Sequence, residues 1–311
     1  MKKSWQRRLK TWIPILALIY IGTGAVLWAV QRHLIFTPTR ALGLTPRDFG
    51  ADFEVISLPR QIYGWWLPPR TADSPVILYL HGAGGNISSN AMHASHLNKL
   101  GYGVLLFDYR GYGQSDGEFP SEQSVYEDSQ TAWKYLTESR QIDPKRIVVY
   151  GHSLGGAIAI DLASKEKQIR GMVVESTFTT LANIAQWRYR VYPVKLFLNQ
   201  TFDSLSKIRG LKMPLLFIHG TSDFSIPDSM SAQLFEASPG DKAFVRIQGA
   251  GHSNCGATDP KKYYEAFSAF VKKVTDRPDN LTTSPNRDAI KSRNEGFHGE
   301  IPAGSELYQR I

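Results

Sequence analysis

Three residue types that together make a hydrolytic nucleophile stand at the ends of apolar runs in this chain, in the order Ser153, Asp223 and His252. A serine hydroxyl is a weak nucleophile at neutral pH. It needs a base, and the base needs a carboxylate to hold its tautomer and stabilise its charge. Ser153 is the centre of Gly151-His-Ser-Leu-Gly155, preceded by the strand-forming run Ile147-Val-Val-Tyr150 and followed by Gly156-Ala-Ile-Ala-Ile-Asp-Leu-Ala163. This reads as strand, sharp turn and buried helix. In a G-x-S-x-G elbow the serine sits on a strained strand-to-helix turn, and the flanking glycines are needed because a Cβ there would strike the neighbouring backbone. The turn leaves the Leu154 N–H, at the helix N-terminus, free to bind an oxyanion.

In doubly wound hydrolases the partners follow as acid and then histidine, each in a loop at the carboxyl end of a strand. Asp223 follows Pro214-Leu-Leu-Phe-Ile-His219, and His252 lies in Gly249-Ala-Gly-His252 after Ala243-Phe-Val-Arg-Ile-Gln248. We read Ser153 as nucleophile, His252 as general base and acid, and Asp223 as the orienting carboxylate. Glu175, at the end of Gly171-Met-Val-Val-Glu175, is a rival acid, and Asp228 reads as a solvated or capping residue. Among eight histidines, His152 belongs to the elbow and points away from the base position. His81 belongs to a glycine-rich turn, His219 supports the acid loop, and His33, His93, His96 and His298 read as surface or packing residues. A second oxyanion donor is expected after the strand Val76-Ile-Leu-Tyr-Leu80, in His81-Gly-Ala-Gly-Gly-Asn86, where position selects the Ala83 N–H. That loop is no phosphate cradle, since no Gly-Lys-Ser/Thr follows and the G-x-G-x-x-G spacing is absent.

The elements that must position these groups alternate regularly. An antiparallel hairpin is expected over Phe53–Leu58 and Gln61–Leu67. Short buried strands at Val76–Leu80, Val104–Asp108, Ile147–Tyr150, Gly171–Glu175, Pro214–His219 and Ala243–Gln248 alternate with helical segments. These segments centre on Met92–Leu100, Ser124–Leu136, the elbow helix and Ser229–Glu236, and an amphipathic helix over Pro260–Val274 closes the series. Apolar strands separated by helices describe an α/β fold with a mostly parallel, doubly wound sheet covered on both faces.

Ahead of this body, Thr11–Gln31 carries no charge, which at about 1.5 Å per residue is long enough to cross a bilayer core. A cleaved signal peptide and a buried helix are the rival readings of that span. Lys2, Lys3, Arg7, Arg8 and Lys10 precede it, and the positive-inside rule leaves the N-terminus cytoplasmic and the body on the other side. Residues 1–10 are a basic segment, 11–31 a signal anchor, 32–52 a linker, 53–275 the catalytic domain and 276–311 a polar tail read as disordered. The net charge of +8 arises entirely before Asp48, where eight basic residues meet no acid. The remainder holds 28 of each sign, so a nucleic-acid partner is excluded. One cysteine, Cys255, allows neither an intrachain disulfide nor a cysteine-based zinc site.

Residues 53–274 resemble the α/β-hydrolase fold, and more narrowly the membrane-anchored α/β-hydrolase-domain proteins of the Bem-like and serine-aminopeptidase-like branch. The motifs that carry the resemblance are His81-Gly-Ala-Gly-Gly-Asn-Ile-Ser, Asp108-Tyr-Arg-Gly-Tyr-Gly-Gln-Ser-Asp-Gly117, Gly151-His-Ser-Leu-Gly155, Glu175-Ser-Thr-Phe, Gly220-Thr-Ser-Asp223 and Gly251-His252. The resemblance implies a signal anchor ahead of the domain and a structural role for the Asp108–Gly117 loop, which a local Asp108–Arg110 ion pair is expected to hold. The insert 176–213 takes the place of the family's cap and has room for one or two helices. Its Trp187-Arg-Tyr-Arg-Val-Tyr-Pro-Val-Lys195 run suits either membrane-surface contact or a packed cap helix with snorkelling arginines. The expectation is a serine esterase, lipase or thioesterase acting on a small-molecule or lipid ester, without cofactor or metal and with residues 11–31 in the membrane. An amidase or aminopeptidase of the same fold is the enzymatic alternative, and an inactive membrane-tethered scaffold the non-enzymatic one.

Overall fold

The computed structural model describes residues 2–189, 193–194 and 198–276, with side chains from Lys10 onward. Apart from Asp276, the segment read as a disordered tail lies outside the described residues. In chain order the elements are α1 (Lys2–Ile35), β1 (Thr37–Pro38), β2 (Glu54–Leu58), β3 (Ile62–Leu67), β4 (Val76–Leu80), β5 (Gly84–Gly85), α2 (Ala91–Lys99), β6 (Gly103–Phe107) and α3 (Glu122–Lys134). They continue with β7 (Ile147–His152), α4 (Leu154–Lys165), β8 (Met172–Glu175), α5 (Leu181–Arg188), α6 (Ser204–Ile208), β9 (Leu215–Gly220), α7 (Asp228–Ala237), β10 (Lys242–Ile247), α8 (Cys255–Thr258) and α9 (Pro260–Thr275).

Eight strands form one sheet in the order β10-β9-β8-β7-β4-β6-β3-β2, parallel except where β3 pairs with β2 and β6. This is the α/β-hydrolase fold. Because successive side chains alternate across a strand, the central strands feed two cores. Leu78, Leu80 and Val149 pack with α3 and α4 residues on one face, while Ile77, Tyr79 and Val148 pack with α2 and α9 residues on the other. The chain reverses its winding at β4, which lies between β7 and β6. At such a switch point the loops leaving two neighbouring strands part and open a crevice at their carboxyl ends. The loops after β4 and β7 flank this crevice, and they carry Ala83 and Ser153.

Local signals explain the element ends. Ser121 accepts the Ser124 N–H at 3.1 Å and starts α3 with a capping box. Asp259 caps α9 through the Lys262 N–H, and the described residues of the insert include the helices α5 and α6.

The N-terminal region departs from the expected boundaries. The apolar helix continues to Ile35, so the span able to cross a membrane runs Lys10–Ile35, past the expected end at residue 31. The following residues do more than link: β1 pairs in parallel with β5, Thr37 N–H donates to Ala83 C=O at 3.0 Å, and Thr39 N–H donates to Gly85 C=O at 2.9 Å.

Candidate active site

Ser153 occupies the turn between β7 and α4 with φ 55° and ψ −119°. A non-glycine residue in that region carries about 1–3 kcal/mol of strain unless its surroundings hold it. Three bonds do so: Ser153 N–H to Glu175 C=O at 2.8 Å, Gly156 N–H to Ser153 C=O at 3.0 Å, and the Thr177 hydroxyl to Ser153 C=O at 2.7 Å. The elbow glycines are sterically required, because a Cβ on Gly151 would lie 2.3 Å from Gly155 O and one on Gly155 would lie 2.0 Å from Leu80 O.

The fold brings the three expected residues into contact. His252 Nε2 lies 2.9 Å from Ser153 Oγ, and His252 Nδ1 lies 2.7 Å from Asp223 Oδ2. The tautomer with Nδ1–H donating to the carboxylate leaves Nε2 free to accept the serine proton. Burial by itself would raise the Asp223 carboxyl. Hydrogen bonds from His219, His252 and the Ile226 N–H outweigh it and hold the group below the usual carboxylate range. His219 lies 3.2 Å from Asp223 Oδ2 while its Nε2–H also reaches Ile226 C=O at 2.9 Å, so it braces the acid loop. Glu175, the rival acid, is not brought to His252. Its Oε2 accepts the hydroxyls of Tyr150 at 2.8 Å and Tyr263 at 2.6 Å inside a buried aromatic cluster. Asp228 pairs with Arg246 at 3.0 Å on the surface.

Leu154 is the first residue of α4, so its N–H has no acceptor within the helix. Ala83 faces it across the crevice, and both residues line the cavity that holds Ser153 and His252. The peptide planes on either side of Ala83 are anchored. His81 Nδ1–H donates to Gly82 C=O at 2.8 Å, and the Tyr112 hydroxyl donates to Ala83 C=O at 2.7 Å. Burial lowers the His81 pKa to about 4, which keeps the ring neutral in this role.

The expected Asp108–Arg110 pair is not formed. Arg110 instead reaches α3, with Nε 2.6 Å from Asp128 and a guanidinium nitrogen 2.8 Å from Glu127. Asp108 turns inward beneath the glycine-rich loop, where it accepts the Ile87 N–H at 2.8 Å. Two residues apart at a turn, the side chains diverge, and each finds its partner on a different element.

Sequence reasoning missed the surroundings of Ser153. An apolar cavity of about 440 Å³ opens on one side of it, lined by Phe178, Leu181 and Ile184 and, across from them, by Gly24, Leu27 and Ile35 of α1. A more polar cavity of about 430 Å³ opens on the other, lined among others by Asn90, His93, Glu175 and Tyr264. His93, read as a surface or packing residue, is bonded to the Tyr79 and Tyr263 hydroxyls at 3.0 and 3.1 Å, and burial lowers its pKa to about 4. His152 also gains a role, since its Nε2–H holds the His252 carbonyl at 2.9 Å. For the α1 stripe the available signal was the spacing 24, 27, 28, 31, 35. It is faint in a helix apolar on every side.

Comparison with known proteins gives this geometry its kinship. The serine aminopeptidase S33 family matches residues 72–206. An uncharacterised protein of Mycobacterium tuberculosis is 33% identical over 266 residues, covering 83% of this chain and 93% of that protein. The bem46 protein of Schizosaccharomyces pombe is 31% identical over 239 residues, covering 71% of this chain and 78% of its own length. Among solved structures, an esterase of Pyrococcus furiosus superposes with a TM-score of 0.63 at 24% identity, covering 77% of this chain and 99% of that one. By these relatives and by its fold, the chain belongs to the α/β-hydrolase superfamily, with bem46 among its relatives.

Proposed function

We propose that this hydrolase is a membrane-anchored serine esterase or thioesterase that cleaves acyl esters through an acyl-enzyme. The observation that carries the reading is the Ser153–His252 contact at 2.9 Å, set between an apolar cavity and one lined by more polar groups, among them Asn90, His93 and Glu175. An acyl chain suits the first cavity and a polar leaving group the second. His252 takes the Ser153 proton as Oγ bonds to the carbonyl carbon, and the Ala83 and Leu154 N–H groups receive the oxyanion. His252 then returns the proton to the departing alcohol or thiol as its bond to the carbonyl breaks. Water, activated by the same imidazole, adds to the acyl-enzyme, and the acid leaves with Ser153 restored.

A single observation favours the aminopeptidase alternative: a carboxylate, Glu175, lines the polar cavity beside Ser153 and is of the type that binds a substrate amine. Its Oε2 is already committed to two tyrosine hydroxyls and the residue is only 4% exposed, which favours the ester reading. The test is hydrolysis of p-nitrophenyl butyrate, a butyryl thioester and aminoacyl p-nitroanilides by purified full-length protein. Ester or thioester turnover is expected, falling by up to about a million-fold in Ser153→Ala. Turnover of the anilides alone supports the aminopeptidase. Turnover that survives in Ser153→Ala overturns the nucleophile, and no turnover together with no fluorophosphonate labelling supports the scaffold.

A further inference from the structure

The helix that carries the membrane-spanning sequence also forms a wall of the apolar cavity. Its contributions include Gly24, Leu27, Trp28, Gln31 and Ile35, spaced 3, 1, 3 and 4 apart, so they lie along one face. The opposite wall is the matching stripe of α5, Leu181, Ile184, Ala185 and Arg188. Both stripes line the cavity that also holds Ser153. From Gly24 to Ile35 the α1 stripe runs about 16 Å at the helical rise, roughly the depth of one leaflet of a bilayer's hydrocarbon core.

The wall is fastened in place. Gln31, 5% exposed, accepts the Asn199 N–H at 2.9 Å, while the Arg32 guanidinium donates to the Phe119 and Pro120 carbonyls. His33 stacks on Phe119, and Phe36 is buried against Phe202. Over the same stretch Val26 and Val30, which do not line the cavity, are apolar and exposed. On the α5 side, Trp187 and Tyr189 are also exposed, with Arg188 between them at the cavity. One helix segment therefore presents lipid-compatible surface outward and the reaction cavity inward.

We propose that α1 is a substrate-binding element as well as a tether: the acyl chain of a membrane-resident ester passes sideways from the bilayer between α1 and α5 and lies along the Gly24–Ile35 stripe with its carbonyl at Ser153. This rests on the acyl-hydrolase reading above. The substrate class it selects is a long-chain acyl ester or thioester already embedded in the membrane, whose chain reaches the nucleophile without crossing water. Gly24 is the first residue of the stripe and lines the cavity, and an added Cβ there meets no atom within 4 Å, so a large side chain at this position has room to occupy the cavity. Gly22 is equally open but does not line the cavity.

The test uses full-length protein in phosphatidylcholine nanodiscs and compares kcat/KM for p-nitrophenyl palmitate and p-nitrophenyl butyrate. Gly24→Phe is expected to lower the palmitate-to-butyrate ratio at least tenfold, and Gly22→Phe to leave it at the wild-type value. An unchanged ratio in Gly24→Phe, or an equal fall in Gly22→Phe, overturns the proposal. A second measurement needs no variant. A long-chain alkyl fluorophosphonate carrying a terminal diazirine is bound and irradiated, and the peptide that receives the second attachment is identified by mass spectrometry. Attachment within residues 24–35 is expected, and attachment to Ser153 with cross-links only elsewhere overturns the role of α1. Absence of any attachment to Ser153 instead overturns the acyl-hydrolase reading on which it rests.

Discussion

Asp108 shows how much of this site is set by single buried groups. Burial pushes its carboxyl up to about 7, against the lowering influence of the Ile87 and Gln114 N–H groups and of Arg40. The nearby His81 Nε2, 3.7 Å from Oδ1, carries a lone pair when Nδ1–H is donated to Gly82, so a protonated carboxyl is the better neighbour. The folded state holds this proton more tightly than the unfolded chain, whose carboxyl titrates near 3.8. The contribution of Asp108 to stability is therefore full below about pH 4 and is lost as pH rises through about 7. Asp223 has the opposite sign, since its lowered carboxyl favours the fold above about pH 4 and loses that contribution as pH falls further. Asp108→Asn keeps an acceptor for Ile87 and removes the titration. Its Tm, measured from pH 4 to 8, is expected to fall less steeply than that of the wild type, and parallel curves would show that Asp108 ionises normally.

Among the elements, the two-residue strands β1 and β5 tie the end of α1 to the loop that offers the Ala83 N–H. The Ala83 carbonyl accepts from the Thr37 N–H and hydroxyl and from the Tyr112 hydroxyl, so Tyr112→Phe removes the anchor that comes from outside β1. Loss of an oxyanion donor costs on the order of a hundred-fold or more in kcat. Loosening one while leaving it present is expected to cost about tenfold in kcat on p-nitrophenyl butyrate with KM little changed. An unchanged kcat would show that β1 alone holds the loop. The elbow was legible because its pattern lies within five consecutive residues, even though Gly155 is required by the backbone of Leu80 on a neighbouring strand, and the capping box at Ser121 is legible because it too is written in adjacent residues. The β1–β5 pairing was not, since two residues carry no periodicity and the partner strand is made of glycine. The expected Asp108–Arg110 pair failed for a related reason: the acids that Arg110 does pair with, Glu127 and Asp128, lie on α3, at a separation no local spacing expresses.

For the whole molecule, charge and apolar surface are segregated along the chain, and this segregation makes a topological prediction. The domain from Asp48 onward balances 28 basic residues with 28 acidic ones, while five positive charges cluster within the first ten residues. The span Lys10–Ile35 separates the two regions. Translocation of the basic cluster is disfavoured relative to that of a neutral body, so the cluster is expected to stay in the cytoplasm and Ser153 to face the other side. The cavity along α1 would then draw on the outer leaflet of that membrane. Intact cells expressing the wild type should react with a membrane-impermeant fluorophosphonate, and cells expressing Ser153→Ala should not. Labelling that appears only after lysis would keep Ser153 as the nucleophile but reverse the orientation, making the cytoplasmic leaflet the source of the acyl chain. Equal labelling of both proteins would remove Ser153 from the chemistry altogether.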